Sequence, residues 1–364
     1  MNDGPQTPDN PPAVGIVEAR THWVELYPQE QSAPAIPLGG DGLLRYPPHL
    51  KELHESSEII APLGVSHIPN CQLNISGLLT IDGRLVREGS PLPEYSEKRW
   101  RKGELMPNEA LFAPASMTID RPILCLYSAG LKVYGHWLIE FILRAKLAVE
   151  ALGASLSDAV IPLPVETPKF AIDMLEYFAG IRPDRILRFD PALAALQSPM
   201  AIVPSYPHTK YHLHSFVQKF YARFRSHGGG EPIRLCVTRA NYEKGTFGDR
   251  RVFQQREMLE RSAAQRGYTI VDPATLPLSE QIRLFGSAST IVGEYGSGLH
   301  NAIFSRRGTK VGAIGMPNVI QSRIGARFGH VNFYVLPTET TRADGWKVKS
   351  VSTAAIDRLF DALA

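Results

Sequence analysis

The chain has 364 residues, with 39 Lys plus Arg against 36 Asp plus Glu and a formal charge of +3; that length holds two ordinary domains, and so small an excess excludes a general nucleic-acid coat. Apolar residues at 44% and charged residues at 21% are ordinary globular values, which exclude a disordered chain, a fibre or a membrane bundle. Three scattered cysteines, Cys71, Cys125 and Cys236, support neither a disulfide framework nor a cysteine zinc site, and point to a reducing, cytoplasmic setting.

The opening, MNDGPQTPDNPP, has no basic n-region or apolar h-region, and no 18-residue uncharged apolar run occurs anywhere; neither a leader nor a spanning segment is expected. Nine of the 29 prolines fall in the first 50 residues, so 1–50 is expected to be an irregular arm. Next, EIIAPLGVSHI reads as extended, and LLTIDGRLV as a hairpin near 78–87, because Asp82-Gly83 supplies the positive φ of a type I′ turn. PILCLYSAG at 122–130 is a buried-strand candidate. It runs into the helix HWLIEFILRAKLAVEALG, where Leu138, Ile142, Ala145 and Val149 keep helical spacing and Gly153 offers a stop. AVIPLPV, KFAIDMLEYFAG, RILRFD and AIVPSYP then alternate strand with helix, the mark of a parallel sheet. A Rossmann-like domain over 51–227 is expected.

HSFVQKFYARFRSHGGG is an amphipathic helix running into three glycines, which places a domain boundary near 225–231. Beyond it the strands IRLCVT, YTIVD, TIVGE and KVGAIG alternate with the helices RRVFQQREMLERSAAQRG, LSEQIRLFGSA and GLHNAIF, the first closed by Gly267 and the second capped by Ser279. This gives a second doubly wound domain over 231–340. A last helix in 351–364 puts Ile356, Leu359, Phe360 and Leu363 on one face, with Ser352 or Thr353 as N-cap.

One constellation carries chemistry. TIVGEYGSGLHNAIF, 290–304, passes from a strand through Gly293, Gly296, Ser297 and Gly298 into a helix. Such glycines let backbone approach a ligand, and a helix N-terminus favours a phosphate. A diphosphate is the natural guest; the plainer alternative is a tight strand-to-helix turn with no ligand. Arg239 directly succeeds a strand, where α/β sheets bind ligands, and its fork suits phosphate oxygens; Lys244, Arg250 and Arg251 come next, interleaved with Glu243, Asp249 and Glu257 as in a solvated charge run. In the N-terminal half His136 and Glu140 are four apart, a spacing that puts both on one helical face, where a carboxylate can tune an imidazole base. A cap plus a surface acid is the bland reading of that pair. Glu294 is a third candidate base, or else an acid bonded to the loop; His300 and Asn301 are set to touch ribose or phosphate, or to cap the helix.

The run GEYGSGLHNAIF, preceded by SEQIRLFGSASTIV and VTRANY…DRRVFQQREML, together with HWLIE, resembles the glycosyltransferase family 61 (DUF563) catalytic domain, whose bacterial members belong to surface-polysaccharide clusters. The likeness covers roughly 120–335. His136, Trp137, Leu138, Glu140, Arg239, Arg250, Arg251, Glu257, Gly293, Gly296, Gly298, Leu299 and Asn301 match its landmarks. Tyr295 stands where the family has a loop histidine, Ser297 where it has alanine, and Gln254-Gln255 where it has Asn-Glu.

The resemblance implies a GT-B arrangement of two Rossmann-like domains and inverting transfer from a nucleotide sugar, a UDP-sugar, to a glycan acceptor. Inversion in one displacement needs a base to deprotonate the acceptor hydroxyl, for which His136, Glu140 and Glu294 are the candidate catalytic groups. Arg239, Lys244, Arg251, Gly293, Tyr295, Gly296, Ser297, Gly298, His300 and Asn301 become the donor-binding set. No D-x-D pair occurs, so no metal cofactor is expected, and arginine, amides and a helix dipole are left to neutralise the leaving group. Tyr295 keeps open a second reading, a non-catalytic sugar-nucleotide-binding scaffold. An NAD-linked oxidoreductase is disfavoured because TRANYEKG, not a glycine fingerprint, succeeds IRLCVT. The expected location is cytoplasmic, with room for peripheral association at the inner membrane face, although no basic amphipathic helix compels it.

Overall fold

The computed structural model describes residues 22–34, 55–74, 77–87, 114–128, 130–192, 194–225, 231–240, 251–315, 319–343 and 345–364. They divide into two compact units, one drawn from 1–28, 62–131 and 140–206, the other from 29–61, 132–139 and 207–364. The seam is therefore not the one expected at 225–231. The helix Ser215–Ala222 belongs to the second unit, where its Tyr221 ring meets Phe304 edge-on at 5.4 Å. Within 1–50, HWVELY is a strand, His22–Tyr27, not irregular arm; its alternating aromatic and β-branched residues outweigh the prolines around it.

The first unit is built on a mixed sheet, which corrects the Rossmann-like expectation for 51–227. The 11-residue strand Leu63–Leu73 pairs antiparallel with Leu196–Pro204 on one side and with His22–Tyr27 and Leu79–Ile81 on others. Parallel pairing is confined to Leu196–Pro204 with Ile123–Leu124 and Met117–Thr118, a bridge from Ile123 to Val160, and Ile161–Pro164 with Ile186–Phe189. The sequence alternation marks the order of elements correctly but not the partner across the sheet. The Asp82-Gly83 hairpin is present, both residues at positive φ (48° and 70°). Buried Arg144 ties strand ends together: its guanidinium donates to the carbonyls of Cys125, Leu126 and Pro204 and lies 4.3 Å over the Tyr206 ring.

The second unit carries a five-stranded, wholly parallel sheet. Its strands are β1 (Ile233–Val237), β2 (Thr269–Val271), β3 (Ala288–Glu294), β4 (Lys310–Ile314) and β5 (Val331–Val335), in the spatial order β2-β1-β3-β4-β5. Apolar runs such as IVG in β3 and VGAI in β4 are what strands buried on both faces require. Helices α1 (Arg256–Gln265), α2 (Leu278–Ser287) and α3 (Val319–Phe328) connect them. Three details differ from expectation. Residues Arg251–Phe253 are a strand beside Lys347–Ser350, so α1 starts later; α2 begins after Pro277 and is not capped by Ser279; and Ser297–Phe304 is a 3₁₀ helix.

The last helix, α4 (Thr353–Leu363), is capped by Ser352 Oγ accepting from the Ala355 amide at 3.2 Å. Its Ile356, Leu359, Phe360 and Leu363 join Val292, Ile314 and Val335 in one core, worth about 2 kcal/mol per large buried side chain. Gly312 makes the room, since a Cβ there would lie 2.6 Å from Leu363 Cδ1. Among the described residues no helix is long and apolar enough to cross a membrane.

Candidate functional site

The chain leaves β1 for β2 on one side and then crosses to β3 on the other, so the strand order reverses between β1 and β3. In open α/β sheets the ligand crevice opens at that reversal, beyond the carboxyl ends of the strands. Val237 is level with Gly293 across the pair. The residues that emerge there are Thr238 and Arg239 from β1, and Glu294 to Gly298 from β3.

Arg239 Nη1 donates to the Tyr295 carbonyl at 2.9 Å, and the guanidinium lies close against Gly296. A Cβ on Gly296 would stand 2.6 Å from Nη1 and 3.1 Å from Cζ. With φ at 176°, Gly296 is simply extended; its smallness serves the arginine, not a turn. Gly293 plays the same part for the strands, its absent Cβ lying 2.6 Å from the Val237 carbonyl oxygen, and Gly298 faces Val237 Cγ1 at 3.2 Å. Protein fills the space on the Cβ side of each of these glycines. What they achieve is to press a guanidinium fork and β1 against the turn. The 3₁₀ helix that starts at Ser297 directs its first amides back toward that place.

The second contribution comes from the helix start at Tyr134–His136. Tyr134 Oη lies 2.7 Å from Asn301 Oδ1 and 3.0 Å from Gln281 Oε1, while Asn301 Nδ2 donates to the same Gln281 oxygen at 2.9 Å. Gln281 Nε2 in turn donates to the Leu276 carbonyl at 3.0 Å. Burial pushes the Tyr134 phenol well above its ordinary range, so it stays protonated and shares one O–H with this pair. Gly135 then packs on His300, and half-buried His136 stands close enough to disfavour a charge on it.

After His136 the chain makes a π turn, Trp137–Phe141, before Ile142–Leu152 resumes as α-helix. The α-helical spacing that put His136 and Glu140 on one face does not hold through it, because a π turn takes more residues per revolution. Tyr221 Oη donates to the Leu138 carbonyl at 2.6 Å, a partner for backbone that the irregular turn exposes. Glu140 belongs to the first unit and is 1% exposed; burial pushes the Tyr206 phenol up, and the Glu140 carboxylate pushes it the same way against the opposing pull of Arg144. It is no surface acid.

His300 is 3% exposed, and neither ring nitrogen has a hydrogen-bond partner among the described residues. Burial, then nearby His136, lowers its pKa to about 3, so it is a neutral imidazole. The Tyr295 ring is 6.1 Å from it. Glu294 closes β3 at 5% exposure. The structure therefore gathers Arg239, Glu294, Tyr295, Gly296, Ser297, Gly298, His300, Asn301 and His136 within the second unit, and sets Glu140 in the first. Lys244 and Arg250 lie outside the described residues, and Arg251 is placed only as backbone, at the start of its strand. Sequence reasoning placed Tyr134 and Gly135 at the strand-to-helix entry without giving them a part in the site, and missed Gln281. Their only signal was adjacency to HWLIE and a place in SEQIRLF. Among the described residues, no group of three His, Cys, Asp or Glu side chains is arranged to hold a metal ion.

No curated protein matches the chain. The family model Glycosyltransferase 61 matches residues 134–312, a span that opens on Tyr134, takes in Arg239, the Gly293–Asn301 turn and Gln281, and ends inside β4. Residues 134–312 of this chain are a family 61 glycosyltransferase domain.

Proposed function

We propose that the protein transfers a sugar, with inversion, from a UDP-sugar to a hydroxyl of a glycan or surface-polysaccharide acceptor, and that the donor diphosphate sits at the β1/β3 reversal. One observation carries the reading: the same turn, 295–301, is met by a guanidinium from β1 and by Gly135 and His136 from the helix start, which face His300 within it. In this reading Arg239 and the first amides of the 3₁₀ helix neutralise the diphosphate, with Lys244 and Arg251 lending charge from the adjoining segment and no metal required. His136 accepts the acceptor's proton as that oxygen bonds to the anomeric carbon. The bond from that carbon to the diphosphate oxygen breaks, and the nucleoside diphosphate leaves with the electron pair. Glu294 and Asn301 shape the turn, and Glu140 holds the start of the following helix within its own unit. The work is done in the cytoplasm or at the inner face of the membrane.

His136→Ala and Arg239→Ala should each lower transfer by about a hundredfold or more, and Arg239→Ala should also weaken UDP binding in calorimetry. Wild-type rates in both variants would sink the assignment. Tyr295, standing where the family has a loop histidine, favours one rival, a scaffold that binds nucleotide sugar without chemistry. Tight UDP-sugar binding with neither hydrolysis nor transfer to any glycan would select it.

A further inference from the structure

Two consecutive residues, Tyr134 and Gly135, meet the 297–301 turn, and His136 follows them directly in the chain. The Tyr134 hydroxyl is shared by Asn301 and Gln281. A Cβ on Gly135 would lie 2.4 Å from His300 Nδ1, 2.9 Å from its Cε1 and 3.2 Å from Ser297 Oγ, so backbone and imidazole are in direct contact there. His136 acts on His300 through space. Immediately beyond, the π turn begins, and the buried Trp137 and the Tyr221–Leu138 hydrogen bond hold it. A tether on one side, a close-packed contact in the middle and a pinned carbonyl on the other leave His136 no freedom to slide along the turn.

From this we infer that Tyr134, Gly135 and Gln281 are positioning residues, which fix the His136 imidazole against the 295–301 turn; the inference rests on the catalytic reading of His136 given above. Gln281 is essential to it because its one amide oxygen receives both Tyr134 and Asn301, so the tether belongs to α2 as much as to the turn. His300 is the anvil of this joint. Being neutral and enclosed, it takes no proton in the reaction, and its task is to fill the space that Gly135 vacates.

The joint and its consequence have separate readouts in the full-length protein. Gly135→Ala should lower the thermal midpoint. His300→Ala removes the ring that a Cβ would strike, so in Gly135→Ala/His300→Ala the alanine should cost much less than it does in the wild-type background; equal costs would overturn the contact. Positioning is read from the His136 ring resonance in histidine-labelled protein, assigned by its loss in His136→Gln. Tyr134→Phe deletes one oxygen without adding bulk, and together with Gln281→Ala it should move the His136 titration midpoint by about half a pH unit and lower kcat more than it raises KM for a UDP-sugar. A merely structural role would lower the thermal midpoint and leave the His136 titration where it is, and that result overturns the inference. If His136→Ala keeps full transfer activity while these shifts occur, the catalytic reading fails and the positioning stands. If His136→Ala is inactive and the shifts are absent, the positioning fails alone.

Discussion

Lowering the pH from 7.5 to 5.5 should destabilise the protein by about 3 kcal/mol through two buried imidazoles. His300 and His330 are 3% and 7% exposed. Burial lowers His300 to about 3, with His136 adding to it; burial lowers His330 to about 4, with Arg225 adding to it and the Ser305 backbone opposing. Both start from 6.5 in the unfolded chain. The folded pKa is thus depressed for a base: above 6.5 both states are neutral and stability is whole, whereas below it the unfolded chain takes up protons that the native state refuses. Stability is lost as pH falls from 6.5 until the folded values of 3 to 4 are reached. One unit below 6.5, each imidazole costs about 1.4 kcal/mol, so the pair costs about 3, a large share of a typical 5–15 kcal/mol. His212, lowered to about 4 mainly by burial and then by Arg323, adds in the same direction. Urea unfolding at pH 7.5, 6.5 and 5.5 reads the slope, and His330→Gln should flatten it by about half of the two-histidine contribution, whatever its stability at neutral pH. A wild-type profile that stays level down to pH 5.5, or a slope identical in His330→Gln, would refute the neutrality of these rings.

Three further outcomes are expected. Gly296→Ala drives a methyl into Arg239, so UDP affinity should fall at least roughly tenfold, or about 1.4 kcal/mol, while the unfolding midpoint changes little; calorimetry beside a thermal scan checks both. Arg144→Leu strands the carbonyls of Cys125, Leu126 and Pro204 inside the first unit, which at about 1–3 kcal/mol per orphaned group should abolish soluble expression or lower the urea midpoint sharply. Ser352→Ala removes the cap of α4 and should cost about 1 kcal/mol in urea unfolding, with UDP binding unchanged.

The parallel sheet of the second unit was legible because strands buried on both faces must be apolar along their length, and the IVG and VGAI cores of β3 and β4 are. Its fifth strand, VNFYV, escaped notice because Asn332 interrupts the apolar run. The first unit was less legible. Leu63–Leu73 and Leu196–Pro204 pair across more than a hundred residues, and nothing local in either strand encodes the direction of its partner. For the same reason Tyr134 and Gln281 were invisible as a pair, being 147 apart in the chain. The π turn, a local feature, was hidden by a different cause. HWLIEF is apolar enough that α and π periodicities bury nearly the same residues, so the pattern cannot choose between them, and the relation of His136 to Glu140 was drawn on the wrong period.

The glycines show where sequence reading of a site meets a physical limit. A run such as G-E-Y-G-S-G states that these positions tolerate no side chain, but steric exclusion is symmetric: a ligand phosphate and a neighbouring guanidinium forbid a Cβ equally well. Here the occupant beside Gly296 is Arg239, and beside Gly293 it is the β1 backbone. The two explanations are nonetheless linked, since an arginine drawn against the turn by a glycine brings a fixed cation to the carboxyl edge of β1 and β3, where the strand order reverses. Removing the glycine should therefore weaken diphosphate binding by displacing the cation and not by filling the pocket. The distinction can be measured: in Gly296→Ala the salt dependence of UDP binding should flatten along with the affinity, as it would on loss of a charge, whereas a methyl that merely obstructed the ligand would leave that dependence intact.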